Sequence, residues 1–238
     1  YTLSLHDALP ILSQHGIRFN LTPLSFAEEF REMREREGGA WVFTSATLSS
    51  AGRFDLFKQR LGIGECVERT WESPFNYWEQ GCFYLPQMPP PANNTAVHTH
   101  NVIEKVWPLI NAAGGRTFVL CTSLAAVRAA ADELQARLEA NGNPYPLFVQ
   151  GDGPKMRLIE EFRAHGNAVL VGSMSFWEGV DVKGEALSLV VIDKIPFAPP
   201  NDPVMMARSR AVEASGRRPF DEITLPEAVI TLKQGAGR

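Results

Sequence analysis

No stretch of this 238-residue chain approaches the ~18 consecutive apolar residues that a membrane-spanning helix requires; the strongest runs, such as 187–192, are broken by polar residues within a few positions. Cysteine is scarce. Cys66, Cys82 and Cys121 are odd in number and far apart, which suits reduced thiols better than a disulfide framework, and none has metal-ligand spacing. An excess of one charge sign is also lacking: 23 basic residues against 27 acidic ones leave a net charge of −4. The overall field therefore does not advertise nucleic-acid binding, and any such site has to be local. The reading from these absences is a soluble, cytoplasmic chain with no membrane partner. What is present is an ordinary globular composition, 45% hydrophobic, 21% charged and 10% aromatic, which excludes disorder as the dominant state.

The two ends do not read like the middle. Residues 1–11 begin without methionine, lack a basic n-region and share no period with the residues after them, so they are no signal peptide. They resemble translated adapter sequence and are taken as an artefactual or disordered tail. At the other end a helical stretch from Pro226 runs into the glycine-rich Gln234-Gly-Ala-Gly-Arg238. The expectation is a fragment of a longer protein.

Between the ends, Ser25 with Glu28 has capping-box spacing, and Phe26, Phe30 and Met33 share a face. That predicts a helix over 25–37, closed by Gly38-Gly39, with a strand at 40–44 behind it. Residues 71–96, rich in proline and aromatics, predict an irregular connection. From Arg116 the pattern becomes regular. Strands are predicted at 117–122, 146–149, 168–172 and 187–193. A helix capped by Ser123, with Leu124, Val127, Leu134 and Leu138 on one face, ends at Asn141-Gly142, and another covers 154–164 to Gly166. Continuous Val/Leu/Ile strands alternating with helices predict an α/β fold: a Rossmann-like parallel sheet covered on both faces.

Polar residues cluster just after these strands: Ser45 and Thr47, Thr122 and Ser123, Gln150 and Asp152, Ser173 and Ser175, Asp193 and Lys194. Each alone is explained as a helix cap or turn residue. Together they mark the strand-end crevice where open α/β sheets bind ligands. His98-Thr-His100 has no neighbouring cysteine or carboxylate and reads as exposed polar sequence. Gly62-Ile-Gly64 has no strand before it and is given no role.

Three segments carry a resemblance. Phe43-Thr-Ser-Ala-Thr-Leu48, Val169-Leu-Val-Gly-Ser-Met-Ser-Phe-Trp-Glu-Gly-Val-Asp181 and Gln234-Gly-Ala-Gly-Arg238 stand in the order of the Ser-Ala-Thr, fifth and sixth motifs of superfamily 2 helicases. With Val190-Val-Ile-Asp-Lys-Ile-Pro-Phe197 and Ala198-Pro-Pro-Asn-Asp-Pro203, the chain from about residue 19 to 238 resembles the DinG/YoaA branch of the XPD-like DNA helicases. The resemblance implies the tail of a first motor domain over 12–50 and a second, RecA-like motor domain over 51–238, truncated in the sixth motif. It implies an ATP-dependent enzyme that translocates on single-stranded or forked DNA, 5′ to 3′, in DNA repair, with replication or repair proteins as partners.

It also distributes roles. Arg238 becomes the arginine that stabilises charge on the γ-phosphate, with Gln234 in support. Gly179, Asp181 and Gly237 fall on the nucleotide side, Asp181 as a ribose acceptor. Ser45, Thr47 and Glu178 couple nucleotide to nucleic acid. Thr122, Ser123, Ser173 and Ser175 contact phosphates, with Trp177 beside Phe176 as either a stacking surface or core packing. Arg208, Arg210, Arg217 and Arg218 read as a solvated face before a phosphate track. The sequence departs from the family in lacking the phosphate-cradling Gly-x-x-x-x-Gly-Lys-Ser/Thr and the Asp-Glu-x-His box. ATP and Mg²⁺ would then be held mainly by the upstream motor domain, and this chain alone should not hydrolyse ATP. A 4Fe-4S cluster would belong to that upstream part, since the three cysteines here do not match it. Two other readings are a non-catalytic nucleic-acid-binding motor half and a Rossmann-like nucleotide-sugar transferase.

Overall fold

The computed structural model describes residues 8–13, 16–21, 24–49, 52–90, 94–173, 176, 182, 184–199 and 201–236, with side chains from residue 24 onward. The chain divides into two compact units, one of 1–72 with 197–230 and one of 73–196 with 231–238.

The second unit is built on four parallel strands: β3 (Thr117–Cys121), β4 (Leu147–Val149), β5 (Val169–Ser173) and β6 (Leu189–Ile192), in the order β4-β5-β3-β6. The predicted parallel sheet is thus present. β3 and β4 are each one residue shorter than predicted, β5 keeps its predicted length one residue further on, and β6 is three residues shorter, because strand pairing starts and stops inside the apolar run. Side chains alternate between faces, as a period of two requires. Val119, Cys121, Val169, Val171 and Val191 point to one face, against α4 (Thr95–Ala112) and α5 (Leu124–Ala140). Phe118, Leu120 and Leu170 point to the other, against Leu158, Ile159 and Phe162 of α6 (Lys155–His165). Fully burying each such side chain contributes about 1.5–3 kcal/mol.

Helix α5 starts and stops where the sequence predicts. Ser123 Oγ accepts from the Ala126 N–H at 3.2 Å, and the Asn141 N–H closes the last turn on the Arg137 carbonyl. Helix α6 ends at Gly166, whose φ of +72° is the left-handed cap conformation. Helix α4 is not among the predicted elements. Its start lies inside the stretch expected to be irregular, and Asn94 there is its N-cap, accepting from Ala96 and Val97. Pro108 sits within it and obscures the pattern, although Val102, Val106 and Ile110 recur every four residues on its buried face. Residues 77–80 also form a single helical turn, α3 (Tyr77–Gln80). Between α4 and β3 the chain turns at Gly115, where φ is +82° and an added Cβ would lie 2.6 Å from the Asn167 carbonyl oxygen.

In the first unit β1 (Ala8–Ser13) pairs antiparallel with β2 (Gly16–Leu21), so residues 8–11 of the expected artefactual or disordered tail lie in a strand. Helix α1 (Ala27–Glu37) starts later than predicted, and the capping box is not formed. Ser25 Oγ accepts from the Ala27 N–H at 3.2 Å, while Glu28 pairs forward with Arg31 instead of reaching back. The predicted strand at 40–44 is also absent: these residues form no regular element and pair with no strand among the described residues. Trp41 and Phe43 instead pack on Phe30, with Phe57 of α2 (Asp55–Arg60) edge-on to Phe43. The unit also holds α7 (Pro203–Ala214), capped by Asp202, and the start of α8 (Leu225–Ala236). Among the described residues no helix is long and apolar enough to cross a membrane.

Candidate nucleic-acid interface at the sheet's carboxyl edge

All four parallel strands end on the same edge, so the residues at their carboxyl ends are brought side by side although they are far apart in sequence. In sheet order these are Gln150 after β4, Ser173 closing β5, Thr122 and Ser123 after β3, and Asp193 and Lys194 after β6. Two neighbouring pairs of them are joined by hydrogen bonds. The Ser173 N–H donates to Gln150 Oε1 at 2.6 Å. The Thr122 N–H donates to Asp193 Oδ1 at 2.9 Å, and the Thr122 hydroxyl faces Oδ2 at 3.4 Å. His98 Nε2 lies 3.1 Å from the Asp193 main-chain oxygen. A carbonyl can only accept, so Nε2 carries the proton.

The electrostatics of this edge centre on Asp193. Partial burial raises its carboxyl above the ordinary value, opposed by the Thr122 N–H, by Lys194, by the Thr122 hydroxyl and by His98. Beneath it the Cys121 thiol is pushed far up, first by burial and then by the Asp193 carboxylate, with Lys194 acting against both. Cys121 is accordingly a core residue and no nucleophile.

Of the predicted site residues, Thr122, Ser123 and Ser173 do come together on this edge. Ser123 is exposed, whereas Thr122 and Ser173 are half-buried. Ser45 and Thr47 form a local turn in the first unit: the Thr47 N–H donates to Ser45 Oγ at 3.2 Å and the two hydroxyls lie 3.3 Å apart. Gln234 is half-buried in the last turn of α8. Ser175, Trp177, Glu178, Gly179, Asp181, Gly237 and Arg238 lie outside the described residues.

Phe176 is core, not a stacking surface. It is 3% exposed, an added Cβ on Gly172 would meet its ring at 2.8 Å, and the Lys155 ammonium lies 5.6 Å from the ring centroid. The arginine cluster is largely tied to carboxylates, Arg208 to Glu227, Arg217 to Glu222 and Arg218 to Asp221. Those pairings agree with a solvated face.

The expectation that His98 and His100 are exposed polar sequence is corrected for the first of them. His98 is 7% exposed on α4 and braces Asp193, because that helix, absent from the sequence prediction, turns it inward. Its signal is the spacing His98, Val102, Val106, a period of four that keeps Glu104 and Lys105 off that face. His100 is exposed and bonds to Glu133 at 3.1 Å. Burial alone would raise the Glu133 carboxyl, but hydrogen bonds from His100 and Arg137 outweigh it and hold the group below its usual value.

This edge offers hydroxyls and an ammonium around one half-buried carboxylate, a set suited to a phosphate backbone and poor in base-reading geometry. Comparison with known proteins points the same way. Residues 106–238 match the family model described as the helicase C-terminal domain. The chain is 44% identical over 227 residues to the ATP-dependent DNA helicase YoaA of Haemophilus influenzae, covering 94% of this chain and 34% of that protein. It is 43% identical over 218 residues to YoaA of Escherichia coli, covering 92% and 33%. To the ATP-dependent helicase DinG of Mycobacterium tuberculosis H37Rv it is 38% identical over 202 residues, covering 83% and 29%. The chain thus spans about a third of the length of these relatives.

Proposed function

The chain belongs to the helicase C-terminal domain family, and from that premise we propose that it is the second motor half of an ATP-dependent DNA helicase of the DinG/YoaA type. Residues 12–50 would end the first motor domain and 51–238 form most of the second. The reading is carried by one observation: Thr122, Ser123 and Ser173 sit together on the carboxyl edge of a parallel sheet inside the segment that matches the family. This edge would track the phosphates of a single strand without reading bases, with the exposed Ser123 foremost and Thr122 shaping the turn beside it, giving affinity that falls as salt rises.

On the nucleotide side, Gly179, Asp181, Gln234, Gly237 and Arg238 would face ATP bound mainly by the preceding motor domain, where Mg²⁺ and a 4Fe-4S cluster would also belong. Ser45, Thr47 and Glu178 would couple the two ligands. Translocation would run 5′ to 3′ in a cytoplasmic repair role on single-stranded or forked DNA, with replication or repair proteins as partners. In the longer protein, Arg238→Ala is expected to reduce DNA-stimulated ATP turnover by at least about 10²-fold while leaving affinity for single strands within twofold, since an arginine acting on the γ-phosphate contributes about 10³ or more to turnover. Steady-state ATPase and fluorescence anisotropy on the same preparations check this. Undiminished turnover in the variant would overturn the assignment of Arg238.

A further inference from the structure

The two hydroxyls just after β3 are adjacent in sequence yet bonded in opposite senses. Ser123 Oγ accepts the Ala126 N–H, which uses a lone pair and leaves its own O–H to donate outward from an exposed position. The Thr122 hydroxyl faces a carboxylate oxygen of Asp193. An ionised carboxylate only accepts, so Thr122 must be the donor and its proton is already used. The Thr122 N–H is bound to the other oxygen of the same carboxylate, so Asp193 grips the turn at two points. Its own main chain is anchored twice, by the Asp193 N–H on the Leu120 carbonyl and by His98 Nε2 on the Asp193 carbonyl.

We propose that Asp193 is a positioning residue that fixes the Thr122–Ser123 turn and withholds the Thr122 proton from the phosphate, leaving Ser123 as the donor that contacts it. The proposal rests on the nucleic-acid reading above. Asp193 also places a negative charge beside the expected path of the phosphates. Among the described residues, the charged or titratable groups near it are Lys194 on its own strand end, His98 from α4 and the neutral Cys121 thiol of β3. The edge would then hold the strand less tightly than its donors allow, as a motor that must release and rebind requires.

The test is a double-mutant cycle on the 238-residue chain, read as anisotropy of a labelled single-stranded oligonucleotide at low salt. Asp193→Asn keeps shape: its carbonyl can still accept the Thr122 N–H, and its amide can donate to the Thr122 oxygen, freeing that hydroxyl's proton. It is expected to tighten binding by about two- to tenfold, the range one net hydrogen bond spans. Ser123→Ala should weaken binding by a similar factor. Thr122→Val should change affinity less than twofold in the native background but reverse much of the gain in the Asp193→Asn background, a coupling that loss of fold would not produce. Thermal unfolding of each variant identifies any that fail to fold, and Thr122→Ser, which keeps the hydroxyl, should behave as the native chain in both backgrounds. If Thr122→Val weakens native binding as much as Ser123→Ala, or Asp193→Asn does not tighten it, the proposal is overturned while the nucleic-acid reading stands. If neither the native chain nor any variant binds the oligonucleotide, the nucleic-acid reading falls and this proposal with it.

Discussion

At the scale of single residues, Asp193 shows how position rather than type sets chemistry. The same aspartate on an open loop would be an ordinary exposed acid; here burial raises its carboxyl above the usual 3.8 despite the Thr122 N–H, Lys194, the Thr122 hydroxyl and His98. An acid whose native pKa lies above its unfolded one binds its proton more readily when folded. Its contribution to stability is therefore fully present below pH 3.8 and is lost as pH rises through the native value. Urea unfolding of the native chain and of Asp193→Asn from about pH 3.5 to about pH 7 should show the native chain losing stability relative to the variant as pH rises, then holding a constant difference. A difference independent of pH would contradict the burial argument. Gly115 and Gly172 are further residues whose reason is spatial: one has φ of +82° under the Asn167 carbonyl, the other leaves room for the Phe176 ring.

At the scale of elements, the legibility of each segment depends on how local its determinants are. Helix α5 is readable to its ends because Ser123 and Asn141-Gly142 act within three or four residues of themselves. The segment 40–44 reads as a strand and is none, because a run such as Trp-Val-Phe has strand composition but needs a partner strand to become one, and its aromatics are instead held by Phe30 and Phe57. Helix α4 escapes a sequence reading because Pro108 and its β-branched residues weaken local propensity. Tertiary packing stabilises it instead. Ile103 and Ile110 are fully buried, while Val97 on the same helix is 48% exposed. Ile103→Ala is therefore expected to destabilise the chain by about 2–5 kcal/mol and Val97→Ala by no more than about 0.5 kcal/mol. Equal losses in urea denaturation would mean that α4 is not anchored by this face.

At the scale of the whole molecule, the chain carries polar strand ends and the Gln234-Gly-Ala-Gly-Arg238 segment but neither a phosphate-cradling glycine loop nor an Asp-Glu-x-His box. Binding and hydrolysis should then separate. The isolated chain is expected to bind single-stranded DNA at low salt yet show no DNA-stimulated ATP turnover above background in a coupled assay; turnover at a rate typical of helicases would overturn the division of labour proposed here.

What the sequence determined by itself is the α/β class, the approximate place of every strand from Arg116 onward and a family resemblance whose part from residue 106 onward the family match then covered. Those are matters of local hydrophobic pattern and of short fixed spacings, and both are written in one dimension. Only the tertiary structure decided which strand ends are neighbours. The order β4-β5-β3-β6 puts Gln150 beside Ser173, and Thr122 beside Asp193 71 residues away, with His98 reaching the same aspartate from 95 residues upstream. No local pattern encodes strand order. It is set by how helices α4, α5 and α6 share the two faces of the sheet, and it brings Asp193 against Thr122 while the adjacent Ser123 stays exposed.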